Sequence, residues 1–154
     1  MKLIRILLVV GVMVLSFAPQ AVWATEGAEV FDIIKGEVVA TIPNSDLLQN
    51  QVKSLLSSVV GVAGVFRIEP NDGIAIKVKL APPYRVRNQW ITGTVKEVIV
   101  IVGRNQTYAP TMLVFMEDHH FLGFHVNSDT LTAFLKGVNL YSSELDLGTS
   151  LHER

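Results

Sequence analysis

An apolar run close to the N-terminus decides how much of this 154-residue chain can join a folded domain. Lys2 and Arg5 precede an uncharged stretch, 6–18, of about 13 residues, and Pro19 ends it. A membrane-spanning helix needs roughly 20 apolar residues, so the run is too short to favour a membrane anchor. A positive start followed by a short apolar run is instead typical of a secretory signal peptide.

The residues that follow the run predict where this signal peptide is removed. Val22 and Ala24 occupy the two positions that a signal peptidase reads before its cleavage site. The sequence therefore predicts a signal peptide over 1–24 and a mature chain that starts at Thr25. We expect a secreted or extracytoplasmic protein that keeps no membrane span after cleavage.

Charge and cysteine content narrow the class of the mature protein. Loss of Lys2 and Arg5 reduces Lys+Arg from 13 to 11 against 14 Asp+Glu, which argues against nucleic acid as a partner. The chain has no cysteine, so disulfides and thiol catalysis are excluded and an apolar core must supply the stability. About 130 residues are enough for one such core. We expect a single domain over 25–141 and a flexible C-terminal tail over 142–154.

Alternating and β-branched segments predict two hairpins in the first half of the domain. Segments 30–34 and 37–42 are separated by two residues, which is the spacing of a tight hairpin. A second pair of segments, 65–69 and 74–80, flanks a turn. Apolar residues alternate with lysine in 74–80, which indicates a strand with one buried face. The prolines at 82–83 cannot donate to a ladder, so we expect the chain to leave the sheet there.

Between these hairpins lies the clearest helical pattern of the chain. Asp46, with Gln49 three residues later, resembles a capping box that starts a helix ending near Gly61. Polar residues, Gln49 among them, fall on the side opposite an apolar stripe. The residues of the stripe are Leu47, Leu48, Val52, Leu55, Leu56, Val59 and Val60.

The second half adds a central strand, a third hairpin and a second helix. Segment 98–102 is continuously apolar and β-branched, as in strands covered on both faces, and it is compatible with parallel or antiparallel pairing. Segment 88–97 is ambiguous, since its apolar residues fit a short helix but its Thr-Gly-Thr has poor helix propensity. Segments 111–117 and 121–126 predict a hairpin, and 127–129 caps a helix.

Together these elements predict an α+β fold: a mainly antiparallel sheet built from hairpins, with two helices on one face, preceded by the signal peptide. The order of helix and hairpins resembles that of small exported α+β modules such as PepSY-like and cystatin-like domains. The resemblance is one of architecture, and no motif of either family is matched residue by residue. It therefore implies no activity.

One cluster of metal-ligand side chains lies around the turn of the third predicted hairpin. His119, His120 and His125 are close in sequence to Glu117 and Asp118. Because strand faces alternate, His125 can approach only one of the two turn histidines, and the spacing matches no closed zinc pattern. A polar turn between two apolar strands explains the same residues. We therefore predict no metal site and no cofactor.

A second candidate site follows the prolines. Tyr84, Arg85, Arg87 and Trp90 interleave basic and aromatic side chains. Arginine presents a planar donor fork to carboxylate or phosphate, and an exposed tryptophan can lie on a sugar face or a cation. This surface would suit an anionic envelope polymer or a protein partner. The competing interpretation is that the two rings cover the edge of the core and the arginines extend over apolar surface into water.

No recognised catalytic pattern accompanies these residues. The chain has no Gly-x-Ser-x-Gly elbow around its serines. We expect an exported, non-catalytic binding or interaction module that acts at the cell envelope or outside the cell, with Tyr84, Arg85, Arg87 and Trp90 as its contact surface. The alternative is a small exported hydrolase or metal-dependent enzyme that uses the histidine region with Glu117.

Overall fold

A computed structural model describes residues 27–64, 70–104 and 109–148, so the predicted signal peptide and the predicted strand 65–69 lie outside the described residues. Within these ranges the chain forms seven strands and two helices. The strands are β1 (Ala28–Asp32), β2 (Glu37–Ile42), β3 (Val59–Val62), β4 (Gly73–Arg87), β5 (Thr92–Gly103), β6 (Thr111–Met116) and β7 (Phe121–Val126). The helices are α1 (Asp46–Ser57) and α2 (Ser128–Gly137).

All these strands belong to one sheet, in the order β2-β1-β4-β5-β6-β7-β3. Every neighbouring pair is antiparallel, so the predicted α+β class with a mainly antiparallel sheet is confirmed. Segment 98–102 lies in β5 at the middle of the sheet and pairs with β4 and β6. The parallel alternative for this segment was therefore wrong.

The apolar core lies on one face of the sheet. Ile76, Val100 and Met112 are cross-strand neighbours on this face and are fully buried. Buried residues of both helices join the same cluster: Leu48, Val52, Leu55 and Leu56 of α1, and Leu131, Phe134 and Leu135 of α2. We call the opposite side of the sheet the outer face. Because side chains alternate along a strand, it carries the residues between the core positions.

Helix α1 is shorter than the sequence predicted and has a different N-cap. The Oγ of Ser45 accepts a hydrogen bond from the Leu48 backbone N–H at 3.1 Å, so the cap is Ser45. The helix ends at Ser57, whereas the apolar spacing had extended it to Gly61. Val59 instead pairs with Val126 of β7 at the start of β3. The stiff β-branched side chains at 59–60 suit this strand better than a helix.

Strand β4 continues through the two prolines, which corrects the prediction that the chain leaves the sheet there. Its pairing with β5 is interrupted between Lys79 and Tyr84, so the prolines occupy positions that the ladder does not use. The side chain of Gln49 replaces part of the backbone hydrogen bonding that β4 loses at this interruption. Its Nε2 donates to the Lys79 carbonyl at 3.0 Å, and its Oε1 accepts from the Ala81 N–H at 3.3 Å.

This contact explains why Gln49 is buried, at 7% exposure, although the helical pattern placed it on the polar side of α1. Backbone groups that leave a ladder inside a protein must find other partners. An amide side chain offers both a donor and an acceptor, so one residue satisfies both sides of the interruption. Gln49 thereby connects α1 to β4.

The ambiguous segment 88–97 is a turn followed by the start of β5. The Oδ1 of Asn88 accepts hydrogen bonds from the backbone N–H groups of Trp90 and Ile91, both at 2.8 Å. Its Nδ2 donates to the carbonyl of Leu56 at 3.1 Å. The turn is therefore fastened to the C-terminal end of α1, and β5 begins at Thr92.

The end of the chain is more ordered than the predicted tail. Helix α2 begins as expected, with the Oδ1 of Asn127 accepting from two backbone N–H groups. Beyond it, Leu145 is buried in the core and forms a bridge with Arg104. The Asp146 N–H donates to the carbonyl of Gly103 at 2.9 Å. Residues 142–148 thus pack against the end of β5, and 149–154 lie outside the described residues.

An ion-pair cluster joins the end of β1, the residue before β4 and the residue after β5 at the same end of the sheet. Arg104 contacts Asp72 at 2.7 Å and Asp32 at 3.5 Å. The Lys35 N–H donates to the Asp32 carboxylate at 3.0 Å. This bond is the main cause of the lowered pKa of Asp32; the nearby charge of Arg104 lowers the pKa further, while burial partly opposes both. The charged form of Asp32 is therefore favoured in the folded state.

Replacement of Asp32 by asparagine is expected to weaken the dependence of stability on pH in the acidic range. Because folding lowers the pKa of Asp32, its charge stabilises the protein above the ordinary value of 3.8, and this contribution is lost as the pH falls through the folded value. Urea unfolding between pH 2 and pH 6 measures this. An identical pH profile for the wild type and Asp32→Asn would show that the cluster contributes nothing.

Candidate functional site

The two predicted arginines lie on the outer face, at the far end of the long β4–β5 hairpin. Val86 between them is buried in the core, so Arg85 and Arg87 project from the opposite side of β4, and both are exposed. Residues two apart on one strand face are roughly 7 Å apart. Neither guanidinium makes a hydrogen bond or ion pair with a residue that the structure describes.

The two predicted aromatic residues lie elsewhere. Tyr84 is partly buried against the core, and the Nζ of Lys53 in α1 lies 5.1 Å from its ring centre. Trp90 also packs against the core from the β4–β5 turn, and its Nε1 is buried without a hydrogen-bond partner in the described part of the chain. The structure therefore separates the four predicted residues into an exposed arginine pair and two core-facing rings.

Two threonines that the sequence analysis did not single out lie beside the arginines. Arg85 is paired with Thr94, and Arg87 with Thr92, in the β4–β5 ladder. Both threonines therefore share the outer face with the guanidinium groups. We call these four residues the Arg-Thr block. The alternation of residues along 92–95 could have indicated a strand with both threonines on one face. The sequence analysis left this segment open between helix and strand, so it did not single the threonines out.

Charged residues of both signs surround the Arg-Thr block. Lys79, also on the outer face of β4, is exposed, and its cross-strand neighbour in β5 is Glu97. On the far side of β5, the Glu117 N–H donates to the Thr94 carbonyl at 2.9 Å. Glu117 and Asp118 are both exposed in the turn after β6. The two arginines therefore supply the positive charge of the block, and negative charge borders Thr94.

Apolar residues occupy the outer face nearer β6 and β7. Phe115 and Phe121 are cross-strand neighbours whose ring centres are 5.7 Å apart in a stacked arrangement. Phe121 is 57% exposed. Ile99 and Leu113 continue this surface in the next row and are partly buried. These two rings are thus separated from the arginines by β5.

The predicted histidine cluster does not converge. His120 contacts Asp118 at 3.2 Å in the exposed turn. This contact is the main cause of the lowered pKa of Asp118. His125 lies roughly 13 Å along β7 from Phe121, the first residue of that strand after the turn. Its Nδ1 is 3.2 Å from the Pro110 carbonyl oxygen. No group of three metal-ligating side chains occurs among the residues that the structure describes.

An open cleft of about 750 Å³ lies between the C-terminal end of α1 and the start of α2. Three serines line it, but their hydroxyls donate to backbone carbonyls of α1: Ser54 to Asn50, Ser57 to Lys53 and Ser58 to Leu55. Asn127, which also lines the cleft, caps α2. The three serine hydroxyls and the Asn127 side chain are therefore engaged in hydrogen bonds within the helices.

Comparison with known proteins identifies no matching protein family, no similar curated protein and no similar solved structure. In the described ranges, no helix has the length and apolar character needed to cross a membrane. The functional assignment therefore depends on the geometry of the side chains themselves.

Proposed function

We propose that this protein is an exported, non-catalytic binding module that acts at the cell envelope or outside the cell, and that the Arg-Thr block is its contact surface. The observation that carries this proposal is the pair of exposed guanidinium groups without a described protein partner. Arginine in a folded protein is always charged and presents five donors in a fixed fork. Two such forks beside two hydroxyls form a surface suited to an oxyanion ligand.

The geometry supports binding better than the hydrolase or metal-dependent alternative. The residues that the structure describes contain no group of three metal-ligating side chains, and His125 lies at the opposite end of β7 from the turn that holds His119 and His120. The serine hydroxyls near the cleft donate to backbone carbonyls of α1. The tyrosine and tryptophan that the sequence offered as contact residues are engaged with the core, so the proposal retains Arg85 and Arg87 as the binding side chains.

Substitution of both arginines by alanine is expected to reduce capture of the partner from a solubilised envelope fraction by about tenfold, because two charge-assisted contacts are lost. Immobilised protein and quantified retained material provide the measurement. The matched control is Lys35→Ala/Lys136→Ala, which removes two exposed positive charges elsewhere and is expected to retain capture. Equal capture by the wild type and the arginine variant would remove the Arg-Thr block as the contact surface.

Export is proposed from the sequence pattern alone and has its own test. Ala24→Arg is expected to block processing, because the peptidase pocket accepts only small side chains at that position. Intact-mass measurement after expression in the native host should show a mature wild-type chain starting at Thr25 and an uncleaved variant. A soluble cytoplasmic wild-type product that retains residues 1–24 would contradict the proposal.

A further inference from the structure

We infer that the ligand of the Arg-Thr block is a linear phosphodiester polymer without nucleobases, lying along the outer face of β4. This inference rests on the proposed function and adds the chemical class of the partner. Two observations carry it: the spacing of the arginines and the hydroxyls beside them.

The spacing of the arginines suits a ligand with repeated charges. Arg85 and Arg87 project from the same strand face at a separation of roughly 7 Å. A single small anion would engage one fork, whereas two successive phosphates joined by a short polyol spacer can reach both. Each phosphodiester has two unesterified oxygens, which match the paired donors of one guanidinium.

The other side chains of the block favour phosphate over a protein surface. Thr92 and Thr94 place a hydroxyl beside each arginine, and arginine together with serine or threonine is the usual donor set for phosphate oxygens. Protein contact surfaces use arginine as well, but they combine it with buried aromatic or aliphatic anchors. Here the rings of Tyr84 and Trp90 pack against the core, so the block offers charge and hydroxyl groups only.

The positions of the aromatic rings also argue against single-stranded nucleic acid as the ligand of the block. Proteins that bind it provide aromatic platforms on which the bases stack. Phe31, Phe115 and Phe121 lie on the outer face away from the arginines. Phe31 of β1 is paired with Ala75, near the opposite end of β4 from Arg85. Phe115 and Phe121 are separated from the arginines by β5 and by the acidic turn at Glu117 and Asp118. A polyanion is repelled from that turn.

The test compares polymers of defined chemistry for binding to the purified protein by fluorescence anisotropy. The main probe is labelled poly(glycerol phosphate), titrated at several salt concentrations. We expect binding that weakens with salt, a dissociation constant about tenfold higher for Arg85→Ala/Arg87→Ala, and a log–log salt slope reduced by about 1 to 1.5. Lys35→Ala/Lys136→Ala should leave the slope close to that of the wild type. Thermal unfolding of each variant establishes that the fold is retained.

Two further probes distinguish an error in the ligand class from an error in the proposed function. Labelled poly-glutamate and oligo-deoxythymidine of matched charge are expected to bind more weakly than poly(glycerol phosphate). Equal or tighter binding of poly-glutamate, lost in the arginine variant, would overturn the phosphodiester assignment, and the same result with oligo-deoxythymidine would overturn the assignment to a polymer without nucleobases. Either result would leave the Arg-Thr block as a binding surface. Binding of poly(glycerol phosphate) that is unchanged in the arginine variant would overturn both.

Discussion

Replacement of Leu55 by alanine is expected to lower the free energy of unfolding by about 2–5 kcal/mol. Leu55 lies on the core face of α1 and is 0% exposed. Truncation removes apolar contacts and leaves a cavity among well-packed neighbours, and both effects act in the same direction. Chemical denaturation with the two-state linear extrapolation measures the loss.

The same helix provides a matched control. Leu47 is 60% exposed, so Leu47→Ala changes the same side chain where little burial is lost and should cost well under about 1 kcal/mol. The comparison isolates docking of α1 from its helix propensity, since both variants introduce the same residue. Similar losses for Leu47→Ala and Leu55→Ala would mean that α1 does not pack on the sheet as described.

Replacement of Gln49 by leucine is expected to cost about 2–4 kcal/mol, although leucine is of similar size and more apolar. The substitution leaves the Lys79 carbonyl and the Ala81 N–H without the partners that Gln49 now provides. These backbone groups are partly buried, and leaving them unsatisfied carries a desolvation cost that added apolar contact does not offset. Denaturant unfolding gives the magnitude.

Asn50→Leu is the control for this prediction, because Asn50 is the next residue of α1 and its side chain is exposed. A small loss of stability for Asn50→Leu and a large loss for Gln49→Leu would show that the contact of Gln49 with β4 causes the difference. If Gln49→Leu proved neutral or stabilising, the interruption of the β4–β5 ladder would have to be satisfied in another way.

Local patterns in the sequence predicted most of the elements. The alternation in 74–80 and the apolar run 98–102 became parts of β4 and β5, and the hairpin from 111 to 126 formed as expected. Helices α1 and α2 follow the apolar spacing at 3.6 residues per turn. These predictions depend on contacts between residues a few positions apart, which is why the sequence alone was sufficient for them.

Errors occurred where a distant contact determined the conformation. The prolines of β4 were expected to end the strand, but Gln49, about 30 residues earlier in the chain, satisfies the backbone at that point. Val59 was assigned to the helix, but its partner is Val126 of β7. Leu145 was placed in a flexible tail, but it packs into the core beside the end of β5. Neither the proline run nor the valine spacing carries information about these partners.

The candidate site shows the same division. The sequence by itself singled out Arg85 and Arg87 but predicted no strand around them, because the prolines were expected to end it. Once β4 continues past the prolines, residues two apart share one strand face. Only the tertiary structure decided that this is the outer face, that Thr92 and Thr94 lie beside the arginines, and that Tyr84 and Trp90 turn towards the core. The physical reason is that alternation sets relative sides within one strand. Which side is buried depends on where the helices pack and on how distant strands are paired.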